Sequence, residues 1–113
     1  MIMGVEAVPL RREFGEDTPD LEWLPEIAQR GWVVVTADHG IYKRQPEREA
    51  LGKGNITAVF LPKGLLRMQA WDQVVWVLRH WRAIDETVSR AERGTIFRVT
   101  QGGKPETYEV RTR

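Results

Sequence analysis

Apolar residues in the first half of this chain fall into three short runs, and each run predicts a β-strand. Residues 32–36 are continuously apolar and mostly β-branched, which is typical of a strand covered on both faces in the centre of a parallel sheet. Residues 56–61 form a second run of this kind. Residues 5–10 form a shorter run that contains a proline and is followed by a charged loop at 11–17.

Helical signals separate these runs. Thr18 and Pro19 are the residue types of a helix cap and of a first helical position, and apolar residues then recur at helical spacing until Gly31. Pro25 cannot donate a hydrogen bond inside this helix, so we expect a tight first turn or a kink there. Residues 46–51 predict a second, short helix that a glycine ends.

The longest predicted helix spans residues 68–92, and a hairpin follows it. The apolar stripe that we expect to face the core consists of Trp71, Val75, Leu78, Trp81, Ile84, Val88 and Ala91. Trp76 departs from this stripe and is the better candidate for an exposed contact with a partner protein or a neighbouring subunit. Residues 95–99 and 107–110 alternate around a glycine pair, which predicts an antiparallel hairpin.

This alternation of strands and helices predicts a single α/β domain over residues 1–113. We expect three layers built on a mainly parallel sheet, with the long helix in the C-terminal half and a terminal β-hairpin. A chain of 113 residues is the usual size for one hydrophobic core. Its hydrophobic fraction of 42% and charged fraction of 29% are ordinary for a globular domain, so disorder and low-complexity architecture are excluded.

The charge balance and the absence of cysteine narrow the classes of function. Seventeen Lys and Arg against sixteen Asp and Glu leave a net charge of +1, so any nucleic-acid surface must be a local patch. Without cysteine, a disulfide scaffold, a cysteine nucleophile and a thiolate metal site are excluded, and a reducing compartment fits, so we expect a cytoplasmic protein. With no run of eighteen apolar residues and no signal-peptide pattern, we expect no membrane association.

The sharpest candidate for chemistry lies directly after the run at 32–36. Asp38 follows the predicted strand at its carboxyl end, where open α/β sheets place their ligands. Its carboxylate can hold Mg²⁺ or Mn²⁺, or it can simply cap the turn that follows. The neighbouring His39 could donate a proton or contact phosphate, because histidine titrates near neutral pH, or it could belong to the turn alone.

A second acidic group, at residues 16–22, surrounds the start of the first predicted helix. Capping can explain it, because the helix dipole favours negative charge at that position. If the first two strands run parallel, however, this helix start and Asp38 lie at the same edge of the sheet. Two or three carboxylates around one hydrated cation would lower the pKa of a bound water and stabilise in-line attack on phosphate.

Short motifs over most of the chain are similar to those of a known family. They are residues 20–24, residues 30–38, the set Ile41, Arg44, Pro46, Glu49 and Leu51, residues 58–60 and the long helix. In these stretches the chain resembles the PIN-like domains of VapC-type toxins. The resemblance implies a magnesium-dependent endoribonuclease that a partner antitoxin restrains. It also implies that Asp20 and Asp38 are the catalytic, metal-binding acids, with Glu22 or Asp17 as an auxiliary acid.

The N-terminus departs from the pattern of that family. PIN domains begin with a strand that ends in an Asp and leads into a helix, whereas this chain opens at what resembles their second strand. No first acid can therefore be assigned, and Glu6 or Glu16 would be forced substitutes. The alternative to a nuclease is a catalytically inactive module that binds RNA or a partner protein, or a purely structural subunit. A missing central strand would also leave sheet edges to cover, which makes a homodimer a reasonable hypothesis.

Basic residues follow the Asp38 turn closely. Lys43, Arg44 and Arg48, with Lys53 beyond them, lie within a dozen residues of one another. They predict a positive border around the acids that contacts RNA phosphates, although nearby acids also make them compatible with an ordinary solvated helix.

Overall fold

Residues 20–108 are described in a computed structural model of the chain, with Asp20 described by its backbone alone. The elements are helix α1 (Asp20–Arg30), strand β1 (Val34–Thr36), helices α2 (Gly40–Lys43) and α3 (Gln45–Lys53), strand β2 (Ala58–Phe60), a 3-10 helix (Lys63–Arg67), helix α4 (Ala70–Arg90) and strands β3 (Ile96–Val99) and β4 (Pro105–Thr107). The predicted strand at 5–10 and the predicted helix cap at Thr18 and Pro19 lie outside the described residues.

The four described strands form one sheet in the order β1-β2-β3-β4. β1, β2 and β3 are parallel, with Val35 opposite Val59 and Val59 opposite Phe97. β4 returns antiparallel to β3, which places Thr107 opposite Phe97. The prediction of an α/β fold with a mainly parallel sheet, a long helix and a terminal hairpin is confirmed.

β2 is the strand around which the three layers are built, and all three of its residues are buried. Successive side chains of a strand point to opposite faces of the sheet, so β2 contributes side chains to two hydrophobic clusters, one on each face. Ala58 and Phe60 pack with apolar residues of α1, α2 and α3. Val59 packs on the other face with residues of α4 and β3.

Residues 34–36 of the predicted run at 32–36 form strand β1, but the prediction that this strand is covered on both faces was wrong. Val34 is buried, whereas Val33 is 41% exposed and Val35 is 38% exposed. Within residues 20–108, β1 has one hydrogen-bonded neighbour, β2, and lies at an edge of the sheet. A run of β-branched residues indicates that a segment is extended, but it does not fix the number of faces that other elements cover.

The long helix confirms the predicted apolar stripe only in part, because Ile84, Val88 and Ala91 pack in the core whereas the N-terminal half of the helix buries a different face. Trp76 is buried and donates its indole N–H to the carbonyl of Gln101 at 3.3 Å, so the prediction that Trp76 is exposed was wrong. Ile84 is also buried, but Trp71 is 74% exposed and Leu78 is 70% exposed. A step of three residues falls about 60° short of a full helical turn. A stripe that repeats such steps therefore moves around the helix, and its members end up on two different faces.

The remaining predicted elements are present with shifted boundaries. α1 continues through Pro25, and Gly31 follows it with φ of +69°. α3 extends past the predicted end to Lys53, and β4 begins at Pro105. Within residues 20–108, no helix combines the length and the hydrophobicity that crossing a membrane requires.

Gly103, in the β3–β4 turn, packs directly against α4. It is buried and has φ of +90°, and a Cβ atom at this position would overlap the imidazole ring of His80. We expect Gly103→Ala to lower the free energy of unfolding by about 1–3 kcal/mol, because it combines backbone strain with overpacking. Urea denaturation would measure this change.

Gly102→Ala is the matched control for Gly103→Ala. The nearest atom to a Cβ at Gly102 is the Thr100 hydroxyl oxygen at 3.9 Å, an ordinary contact. We expect it to change the free energy of unfolding by less than about 0.5 kcal/mol. Equal losses in the two variants would contradict the close packing of Gly103 on His80.

Candidate active site

The carboxyl ends of β1 and β2 lie side by side and then diverge. The backbone N–H of Leu61, just past β2, donates to the carbonyl of Thr36 at 2.8 Å and holds the two ends together. Beyond this bond, β1 leads into the Asp38 turn and β2 leads into the 3-10 helix. Two chain segments that leave adjacent parallel strands open a crevice between them, which is where open α/β sheets bind ligands.

An open pocket of about 300 Å³ occupies this crevice. The residues that line it come from the two diverging segments and are Ala37, Asp38, His39, Gly40, Lys43, Lys63, Leu66 and Arg67. Three of the side chains are cationic, and one is a carboxylate. Among the described residues, the pocket therefore carries excess positive charge, which suits an anionic ligand.

Asp38 is held in a defined orientation at the wall of the pocket. Its backbone N–H donates to the hydroxyl of Thr36 at 3.0 Å, and its Oδ1 accepts the backbone N–H of Gly40 at 2.9 Å. This is the turn-capping geometry that the sequence allowed, and it fixes the carboxylate. Gly40 permits it, because a Cβ there would lie 2.9 Å from Oδ1 of Asp38. Capping and ligand binding can therefore be done by the same side chain.

Lys43 and Lys63 bring two ammonium groups together from different segments of the pocket wall. Lys43 is the last residue of α2, and Lys63 is the first residue of the 3-10 helix. Hydrogen bonding with Lys43, together with repulsion from its charge, lowers the pKa of Lys63 below the ordinary lysine value. Two like charges held this close are unfavourable in the free protein, and an anion between them would relieve the repulsion.

Two of the other basic residues predicted to contact RNA make bonds within the protein. The Arg44 guanidinium pairs with the carboxylate of Glu47. Arg48 donates to the backbone carbonyls of Tyr42 at 3.2 Å and Lys43 at 3.3 Å, at the end of α2. Of the four basic residues singled out in the sequence, Lys43 is the one that lines the pocket.

Lys63 and Arg67 are pocket residues that sequence reasoning missed. A signal for them was present, because both follow closely after the run at 56–61. The argument that places Asp38 at the carboxyl end of one strand applies equally to residues that follow the adjacent parallel strand.

The other predicted acids are Asp17, Asp20 and Glu22. Asp20 is the first residue of α1, and its side chain is outside the described part of the structure, as is the whole of Asp17. Glu22 is exposed on α1. Among the described residues, no three carboxylate or histidine side chains converge on one point that could hold a metal ion. The pairing of Asp20 with Asp38 stays a prediction.

His39 is bonded through both ring nitrogens. Its Nε2 lies 2.7 Å from the carbonyl oxygen of Leu61, which can only accept, so Nε2 carries a proton. Its Nδ1 lies 3.0 Å from the hydroxyl of Tyr108. The ring also packs against Phe60, with centroids 5.4 Å apart. These contacts favour the interpretation that His39 belongs to the turn and ties the pocket to the C-terminal end of the described chain.

Comparison with known families covers the part of the chain that builds most of this pocket. A family model described as a PIN like domain matches residues 2–63. The matched segment includes Asp20, Asp38, Lys43 and Lys63. No curated protein and no solved structure matches the chain significantly.

Proposed function

Because this chain belongs to the PIN-like domain family, we propose that it is a metal-dependent endoribonuclease of the VapC toxin type. The observation that carries the proposal is the pocket at the carboxyl ends of β1 and β2, where Asp38 stands beside Lys43, Lys63 and Arg67. A carboxylate next to several cations is the combination that phosphodiester hydrolysis needs, because a metal ligand and phosphate contacts must lie within one nucleotide of each other.

The basic side chains supply the phosphate contacts in this proposal. Lysine and arginine provide most of the affinity of proteins for nucleic-acid backbones, and they position the chain without reading its sequence. Lys43 and Lys63 would hold the oxygens of one phosphate between them, and Arg67 would contact the same group or its neighbour. The substrate phosphate would then lie against Asp38.

The donor chemistry of the site fits a magnesium or manganese ion. Mg²⁺ takes oxygen ligands, keeps several waters and is commonly held by one or two carboxylates together with a substrate phosphate. Asp38 is exposed and fixed by its turn, so it can serve as one ligand. Asp20 would be the second, with Glu22 or Asp17 as an auxiliary acid. When bound, the ion would activate a water and offset charge on the phosphate.

The direct test is cleavage of a mixed-sequence RNA by the purified full chain in Mg²⁺ or Mn²⁺. We expect internal cleavage that EDTA stops and that an excess of the metal restores. A protein that binds the RNA but never cuts it, with either metal, would overturn the enzymatic part of the proposal.

The second candidate function is a module of the same family that binds RNA or a partner protein without cleaving. The observation that favours it is the pocket composition, because one carboxylate among three cations binds phosphate without needing a metal ion. A partner antitoxin and a homodimer, both expected from the sequence, remain proposals under either function.

The nuclease and a module that binds RNA without cleaving it both predict that the pocket lysines contact RNA phosphates. We expect the double variant Lys43→Ala with Lys63→Ala to weaken binding of single-stranded RNA and to reduce the slope of log affinity against log salt by about 1.4. The slope changes because each lost phosphate contact no longer releases counterions. Binding measured in EDTA over a series of salt concentrations would give this slope.

Lys53→Ala is the control for this double variant. Lys53 is exposed at the end of α3 and does not line the pocket. Its removal also changes the net charge of the protein, but we expect the salt slope to stay as in the wild type. An unchanged slope in the double variant would refute the pocket as the RNA surface.

A further inference from the structure

The paired ammonium groups of Lys43 and Lys63 point to a more specific ligand than an internal phosphodiester. Lys43 and Lys63 reach the pocket from different segments, and Arg67 is the last residue of the 3-10 helix that Lys63 begins. Against these three cations the described residues place one carboxylate, Asp38. Among the described residues, the pocket has two more cationic side chains than anionic ones.

We propose that this pocket binds a terminal phosphate monoester of an RNA chain and prefers it to an internal phosphodiester. The inference rests on the proposed function in that it takes RNA as the ligand. It adds that the pocket recognises a phosphorylated chain end. An internal phosphodiester carries one negative charge, whereas a phosphate monoester carries about 1.5 to 2 at neutral pH. The monoester therefore matches the excess positive charge of the described pocket side chains, and the diester leaves part of that charge unbalanced.

The number of donors leads to the same ligand. A phosphate monoester has three terminal oxygens, whereas a diester has two. Three cationic side chains from two segments can each donate to a separate oxygen of the monoester, and charge-assisted bonds of this kind are the strong ones. A volume of about 300 Å³ also leaves room for the terminal sugar or for ordered water.

The contact between the two lysines supports this assignment. Lys43 and Lys63 both line the pocket, and hydrogen bonding with Lys43, together with repulsion from its charge, lowers the pKa of Lys63. A dianion between them would reverse this effect, because a neighbouring negative charge favours the protonated form of an amine. An unfavourable charge pair in an open pocket is the arrangement expected where the ligand supplies the compensation.

The test compares three versions of one single-stranded RNA oligonucleotide, with an internal label: one with a 5′-phosphate, one with a 3′-phosphate and one with hydroxyls at both ends. Affinities are measured with the full chain in EDTA, so that cleavage does not intervene. We expect at least one phosphorylated end to bind about tenfold more tightly than the hydroxyl-ended RNA. The two phosphorylated forms distinguish which end of the chain the pocket takes. Equal affinities for all three would overturn the proposal.

Lys63→Met locates the preference within the pocket. Lys63 is exposed, so its removal should leave the fold intact. We expect the preference for a phosphorylated end to fall below about twofold in this variant and to stay about tenfold in the control Lys53→Met. A preference that survives in Lys63→Met would assign the end recognition elsewhere and overturn the proposal.

A pH series provides a second readout of the same pair. Because the pKa of Lys63 is lowered, the preference should decline as pH rises through that value, while the phosphate stays dianionic above about pH 7. The other charged or titratable side chains that line the pocket, Asp38, His39, Lys43 and Arg67, are present in both the wild type and Lys63→Met. A decline of equal size in the two proteins would contradict the role of Lys63.

These measurements separate the further inference from the proposed function. If the protein cleaves hydroxyl-ended RNA in a metal-dependent way but binds all three RNAs equally, the nuclease proposal is supported and the end-recognition proposal is refuted. If the protein prefers a phosphorylated end but never cleaves RNA, the end-recognition proposal is supported and the nuclease proposal is refuted.

Discussion

We expect Asp38→Asn to reduce metal-dependent RNA cleavage by at least about 100-fold. Asparagine retains a side-chain oxygen that can accept the Gly40 N–H, so the turn should survive, but it removes the negative charge that a cation needs. Single-turnover cleavage of a labelled RNA in Mg²⁺ would measure the change. RNA binding in EDTA should become slightly tighter, because the variant pocket is more positive.

Glu49→Gln is the matched control for Asp38→Asn. Glu49 is exposed on α3 and does not line the pocket, and its replacement removes the same charge. We expect its cleavage rate to remain within about twofold of the wild type. Metal-dependent cleavage that is equally fast in Asp38→Asn would place the catalytic centre outside this pocket.

We expect the largest loss of stability from Phe60→Ala, about 3–5 kcal/mol in the free energy of unfolding. Phe60 is fully buried on the central strand. Its ring lies 5.4 Å from His39, 5.7 Å from Tyr42 and 5.5 Å from Tyr108, measured between centroids. Removing it leaves a cavity and breaks the aromatic contacts at the same time. Urea denaturation followed by tryptophan fluorescence would measure the loss.

Two further variants complete this comparison. Phe60→Leu preserves most of the volume and should cost less than about 1.5 kcal/mol, which keeps the test informative if Phe60→Ala does not fold. Leu78→Ala removes a large apolar side chain that is 70% exposed, and we expect a change of less than about 0.5 kcal/mol. Similar losses in Leu78→Ala and Phe60→Ala would contradict the described core.

The sequence predicted the order and type of α1, α3, α4 and the four described strands, because strands and helices have distinct periodicities. The short helix α2 and the 3-10 helix were not predicted. The sequence also predicted Asp38 as a candidate ligand, since strand ends in a parallel sheet meet at one edge. The burial of particular residues was harder to predict. Trp71 and Trp76 are both apolar residues on α4, and their burial depends on which side of the helix meets the sheet. That orientation is a tertiary property that helical spacing does not encode.

The pocket residues could likewise be predicted only in part from the sequence. Lys43 was found because it follows Asp38 closely in the sequence, whereas Lys63 is twenty-five residues from Asp38 and reaches it through strand pairing. Arg44 and Arg48 have the same charge and a similar location in the sequence, but the protein uses them for bonds to Glu47 and to backbone carbonyls. Charge alone could not separate the pocket cation from the structural ones.

The bond between His39 and Tyr108 joins residues that are 69 positions apart. During synthesis on a ribosome, the turn that contains Asp38 and His39 leaves the ribosome well before Tyr108, the residue that hydrogen-bonds to His39. Contacts between such distant residues form late and slowly, because a long loop must close first. We therefore expect nascent chains that end before Tyr108 to hold the Asp38 turn loosely, so that any activity of the pocket begins only after Tyr108 has left the ribosome.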